Sequence, residues 1–266
     1  MKLVLAALPL MLAATSSTDA GRPMPVKPPC KVAQEWVQHH PHVIPARLDG
    51  FALFPIYYKR AAYAKMTEPD RAALWQAHLA IYSGPASRLT AVQKQFIDSV
   101  SRMLPAIFAD PDLSTEAGRI GNKAVKLLTK STAHVVFASL GMVDSSLVDV
   151  AVLRRDDSRT QLVQMAGEVT PRAGGPSAAD DDRLVADPSL EAAHRLSARL
   201  YYLNSTFVGA KEQAKATRNV CNCNTSGDFC DSITGPSSSC QGNNGCVDSS
   251  FGCGWLWAQS CNGICS

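Results

Sequence analysis

From Asn219 to Ser266 the chain contains no lysine, arginine, glutamate or histidine; Asp228, Asp231 and Asp248 are its only charged side chains. The preceding 218 residues carry all 26 basic residues against 20 of the 23 acidic ones, a net of +6. A cationic peptide drawn to anionic lipid would show the reverse polarity, so simple electrostatic attraction to a membrane is disfavoured for the C-terminal segment. The overall net charge of +3 is too small to suggest a nucleic-acid partner.

Long apolar runs are also scarce. The only one is Leu3 to Ala14, well short of the ~20 residues needed to span a bilayer. Lys2 precedes it and small residues follow through Ala20, the order of a secretory signal peptide over residues 1–20. Cleavage is expected near Ala14, Ser17 or Ala20. No cysteine follows closely, so a lipid anchor is unsupported, and the expected location is secreted.

Catalytic signatures are missing as well. There is no Gly-x-Ser-x-Gly, no His-Glu-x-x-His, no phosphate loop and no Gly-x-Gly-x-x-Gly. The expectation is a protein that is not an enzyme and takes no cofactor. His39-His40-Pro41-His42 lacks a second ligand group at helical spacing and reads as a helix end rather than a metal site. Asp180-Asp181-Asp182 reads as a solvated loop rather than a calcium site.

What the chain does have is cysteine, unevenly placed. Eight of nine fall near the C-terminus: Cys221, Cys223, Cys230, Cys240, Cys246, Cys253, Cys261 and Cys265. Turn-forming pairs lie between them, among them Gly235-Pro236, Asn244-Gly245 and Asn262-Gly263. A segment this short and polar has too little apolar surface for a core of its own and needs cross-links. The spacing and the absence of histidine favour disulfides over zinc, with the pairing among 105 possibilities left open. Cys30 stands apart and is expected to be a free or transiently paired thiol.

The aromatic group Phe251, Trp255, Leu256 and Trp257 is the candidate contact surface for a target. Two tryptophans two residues apart on an extended segment would face one side. The same residue types would equally serve as the segment's own small core, and both readings stand at this point.

Upstream, the pattern is helical. Lys31 to His40 and Pro55 to Met66 read as helices. Thr67 is placed to cap a third, with Leu74, Trp75, Leu79 and Tyr82 inward and Gly84-Pro85 as its stop. Thr90 and Gln93 form a capping box ahead of Val92, Phe96, Val100 and Met103 at spacings of 4, 4 and 3. Ser114 or Thr115 starts another, with Ile120, Ala124, Leu127 and Leu128. The run Val135 to Leu140, closed by Gly141, fits a helix or a strand. Gly- and Pro-rich residues 167–188 mark a linker. Ser189 then caps a helix over 189–218 whose apolar positions step by 3 and 4 from Ala193 to Ala210.

The C-terminal segment resembles fulvocin C, a four-disulfide bacteriocin, and the chain is similar to bacteriocin fulvocin C-related proteins. The likeness rests on Cys221-Asn222-Cys223, on Gly252-Cys253-Gly254 followed by Trp255, on Cys261-Asn262-Gly263, and on eight cysteines in one short block. Upstream it rests on Cys30 with Trp36 close behind, Arg60-Ala61-Ala62-Tyr63, Leu74 to Leu79 and Gln93 to Ile97. The last three cysteines are more widely spaced than in the family. The resemblance implies an exported antibacterial peptide released from a longer precursor. Arg218, the last cation before the cysteines, is the expected cleavage point for a trypsin-like processing protease.

The expected architecture is therefore a mainly α-helical leader domain over 21–166, a linker at 167–188, an amphipathic helix at 189–218 and a small disulfide-rich peptide domain at 219–266. The expected partners are the processing protease and an envelope component or receptor of a target cell, with membrane contact through the aromatic group. The alternative is a secreted binding or inhibitor module that stays attached to its helical domain.

Overall fold

Two threonines punctuate the helical part. The Thr67 hydroxyl accepts from the Asp70 backbone N–H and opens a helix over Glu68–Ser83, with Pro69 in its first turn. The Thr90 hydroxyl accepts from Gln93 N–H while the Gln93 side chain accepts from Thr90 N–H, a closed capping box at the head of Ala91–Phe108. Gln93 also reaches across to a neighbouring helix, where its Nε2 donates to the carbonyl of Leu127, 3.0 Å away. One side chain thus caps two helices and fixes their relative position.

The computed structural model describes residues 29–40, 47–153, 223–224, 240–242 and 249–265. Its helices are α1 (Pro29–His39), α2 (Leu48–Leu53), α3 (Ile56–Lys65), α4 (Glu68–Ser83), α5 (Ala91–Phe108), α6 (Leu113–Leu127), α7 (Lys130–Ala138) and α8 (Val150–Leu153). Four short strands follow: β1 (Cys240–Gly242), β2 (Ser249–Cys253), β3 (Gln259–Cys261) and β4 (Gly263–Cys265). β1 pairs antiparallel with β4, setting Cys240 opposite Cys265, and β2 pairs antiparallel with β3. The protein is mostly helical with a cysteine-rich, strand-forming C-terminal segment.

The segment 135–140 is helical: α7 starts from Thr129, whose hydroxyl accepts from Thr132 N–H, and buries Val136 and Phe137. Gly141 follows at φ +80 and lies close against Ala52, where a β-carbon would sit 3.1 Å from the Ala52 methyl. Helix α6 begins at Leu113, and its preceding residue Asp112 makes no side-chain cap.

The face of α5 differs from the expected stripe. Phe96 and Val100 are buried, but Val92 and Met103 are exposed, and the inward positions continue instead through Ile97, Leu104, Ile107 and Phe108. The inward face is centred nearer Ile97 and Leu104, one position on from Phe96 and Met103, which rotates the buried stripe around the helix. Pro105 sits inside α5 and has no N–H to offer the Ser101 carbonyl. Gln76 of α4 supplies the missing donor, its Nε2 lying 3.2 Å from that oxygen.

Tyr82 of α4 ties the loop after α7 to the body, donating to the Met142 carbonyl and accepting from Asp144 N–H. The loop then pairs with the α4–α5 connection at Ser87 and Val148. The proposed signal peptide, the linker 167–188 with Asp180-Asp181-Asp182, the helix 189–218 and Arg218 lie outside the described residues.

Candidate functional site

The C-terminal aromatic group meets the helical body rather than folding on itself. Leu256 is fully buried and Trp257 is 3% exposed, and both belong to the same core as Phe51, Tyr63, Trp75 and Phe137. Phe251 and Trp255 are half-buried against that core. The four residues named as a contact surface are thus brought together, but they face inward onto α2, α3, α6 and α7.

Trp257 is held at both its edge and its face. Its indole Nε1 donates to the Ala138 carbonyl at the end of α7, at 2.9 Å. That oxygen is one of those a helix end leaves without an internal partner. The indole packs edge-to-face with Tyr63 at a centroid distance of 5.3 Å and lies 6.1 Å from the Phe51 ring.

Tyr63 is the hub. Its hydroxyl donates to the Leu256 carbonyl at 3.0 Å and accepts from Trp75 Nε1 at 3.0 Å. Burial raises the phenol well above its ordinary pKa, so the hydroxyl keeps its proton and its donor role. Arg71 bonds the Tyr63 carbonyl through Nε at 3.1 Å and lies over Phe251, its guanidinium carbon 3.9 Å from the ring centroid.

Two glycines admit the segment. Gly121 of α6 presents bare backbone to Trp255, and a β-carbon there would overlap the indole. Gly252, at φ +113, lies on the aliphatic stem of Arg60, where a β-carbon would stand 2.8 Å from Cγ. Gly121 was legible only as an oddity, since a mid-helix glycine costs roughly 1 kcal/mol against alanine, and the sequence alone does not separate it from Gly118 of the same helix, which meets nothing within 4 Å. Tyr63 and Arg71 carry no such local signal.

The tryptophans do not lie on an extended strand. Trp255–Trp257 form a 3₁₀ turn in which Leu256 and Trp257 take φ +53 and +52. The expectation of one shared face from strand alternation is therefore corrected. The turn is closed by the Cys253–Cys261 disulfide, eight residues apart, and it leaves β2 and enters β3 through Gly254 and Ala258. The left-handed region is sparsely used by branched and bulky residues, so cross-link and burial together hold it.

A second disulfide joins Cys223 to Cys240. Cys223 also exchanges backbone hydrogen bonds with Gly263, and Asn224 Nδ2 donates to the Ser260 carbonyl at 2.7 Å. Cys221, Cys230 and Cys246 lie outside the described residues, as do the side chains of Cys265 and Cys30. In the histidine cluster, His39 and His40 turn back on α1: Nδ1 of each lies within hydrogen-bond reach of the carbonyl four residues earlier, and His40 stacks on Trp36 at 4.5 Å. His42 lies outside the described residues. Among the described residues, no three His, Cys, Asp or Glu side chains are grouped to hold a metal, and no helix is long and apolar enough to cross a membrane.

Comparison of the chain with protein-family models, with curated proteins and with solved structures finds no match.

Proposed function

We propose that the chain is an exported precursor of a disulfide-rich antibacterial peptide, a bacteriocin of the fulvocin C kind, whose aromatic turn is held covered by the helical body. One observation carries the reading: Leu256 and Trp257, the most apolar part of the segment, are sealed against Tyr63, Phe51 and the end of α7. A peptide that acts by contact through tryptophan is inert while those rings are inside another core. The disulfides support an oxidising destination, and the eight-cysteine block supports the resemblance. In this reading, cleavage near Arg218 by a trypsin-like protease leads to a peptide that engages an envelope component or receptor of a competing cell. No catalytic step is involved.

The same burial favours a second reading. Rings that complete a core contribute to the stability of the whole chain, as expected of a secreted binding module that never parts from its helical domain. Inhibition zones separate the two. The oxidised peptide 219–266 should clear sensitive bacteria while the intact chain does not. A peptide inert on a broad panel of strains supports the attached module instead.

A further inference from the structure

Residues 154–222 lie between the last described helix and Cys223, the first cysteine bridged among the described residues.

The contact between the aromatic turn and the helical body has the features of a strong interface centre. Trp257, Tyr63 and Arg71 supply the residue types that dominate binding energy, and the first two are excluded from solvent. Two polar handles at its centre are satisfied across the junction: Trp257 Nε1 by the Ala138 carbonyl, and the Leu256 carbonyl by Tyr63. Gly121 leaves a notch that the Trp255 indole fills. The ligand side is shaped in advance, because the Cys253–Cys261 bridge restricts the loop that carries the turn. A ligand restricted beforehand loses less entropy on docking.

We propose that the helical body is a non-covalent receptor for the oxidised Trp255-Leu256-Trp257 turn. It holds the C-terminal segment after the chain is cut within 154–222, and it takes up the same turn from a separate peptide. The proposal rests on the reading that the segment is processed, and adds that cutting and release are different steps. The body left behind after processing then acts as a neutralising partner for free peptide.

The test uses the full oxidised chain with a protease site inserted in residues 167–188, beside the same protein carrying Cys30→Ser, so that retention through a disulfide is read apart from retention by burial. After cutting, both fragments should co-elute in native size exclusion for both proteins. The fragments are next parted in urea without reductant and recombined by dialysis. The 1:1 complex should re-form, and a C-terminal fragment bearing Trp257→Ala should bind at least about thirtyfold more weakly. Separation of the fragments on cutting, retention that vanishes with Cys30→Ser, failure to recombine, or unchanged affinity of the Trp257→Ala fragment would each overturn the proposal. Its fate is distinct from that of the antibacterial reading. An inert free peptide with an intact cut complex sinks only that reading, and an active peptide whose fragments part on cutting sinks only the receptor.

Discussion

The indole of Trp257 donates to the carbonyl of Ala138 across 119 positions of sequence, at 2.9 Å. The bond joins the tip of the disulfide loop to the end of α7, and the ring beneath it is 3% exposed. Two substitutions separate the ring from the bond. Trp257→Ala empties the site and should destabilise the oxidised protein by about 3–5 kcal/mol. Trp257→Phe keeps an aromatic ring but leaves the Ala138 oxygen without its donor, which should cost about 1–3 kcal/mol plus the smaller ring's lost packing. Urea unfolding followed by far-ultraviolet circular dichroism reads both. Equal midpoints for wild type and Trp257→Ala would mean that the turn contributes nothing to the fold.

Gly121 and Trp255 are expected to be coupled. Adding one methyl by Gly121→Ala pushes against the indole and should cost about 1–3 kcal/mol, as overpacking does. On a Trp255→Ala background the methyl enters vacated space, and the better helix propensity of alanine should then favour the substitution slightly. A double-mutant cycle should give an interaction energy of about 1–3 kcal/mol. Additive effects would show that α6 and the turn do not touch in solution.

The helices were readable because their signals are local. Thr67 with Asp70, and Thr90 with Gln93, lie three positions apart and cap the same turn, so nothing distant decides them. The rotated face of α5 was not readable to the same precision, since Val92 and Met103 border the inward residues on the helix and the packing of α4, α6 and α7 chooses between neighbouring stripes. The aromatic site was half readable. Its residues stood out by type, but their surroundings come from Phe51, Tyr63, Gly121 and Ala138, each more than a hundred positions away. A segment judged too poor in apolar residues for its own core has a second solution besides cross-links, which is to enter a core already built. This chain uses both, with Cys253–Cys261 shaping what Tyr63 and Trp75 receive.

Gln76 offers a test of how α5 tolerates its proline. Its amide is the donor that Pro105 cannot provide to Ser101. Gln76→Leu keeps the bulk and removes the donor, leaving a partly buried carbonyl unsatisfied at a cost of about 1–3 kcal/mol. Restoring an N–H to the helix with Pro105→Ala should recover most of that loss on the Gln76→Leu background, and much less of it alone. If Gln76→Leu unfolds at the wild-type denaturant midpoint, the Ser101 carbonyl is satisfied by other means.

His78 should make the protein sensitive to mild acid. The ring is fully buried between Trp75 and Tyr82, and its Nδ1 accepts from Gly141 N–H at 3.3 Å, a role open only to the neutral form. Burial lowers its pKa to about 4; the carbonyls of Val135 and Val136 oppose the shift, and the charge of Lys59 adds to it. The unfolded chain carries this histidine at its ordinary value of about 6.5. Between those two values the unfolded state binds one more proton than the folded state, so acid favours unfolding. The stability contributed by neutral His78 is complete above pH ~6.5 and is lost as pH falls toward ~4, by about 1.4 kcal/mol per pH unit at the steepest. His134, lowered by burial and then by Lys130, adds a smaller effect of the same sign. Unfolding free energies at intervals from about pH 7.5 to about pH 4 should show this decline, and His78→Gln should flatten most of it while leaving the part due to His134. A wild-type curve level through that range would mean that His78 takes up its proton as readily in the folded protein as in the unfolded chain, and that burial and the bond to Gly141 do not hold it neutral.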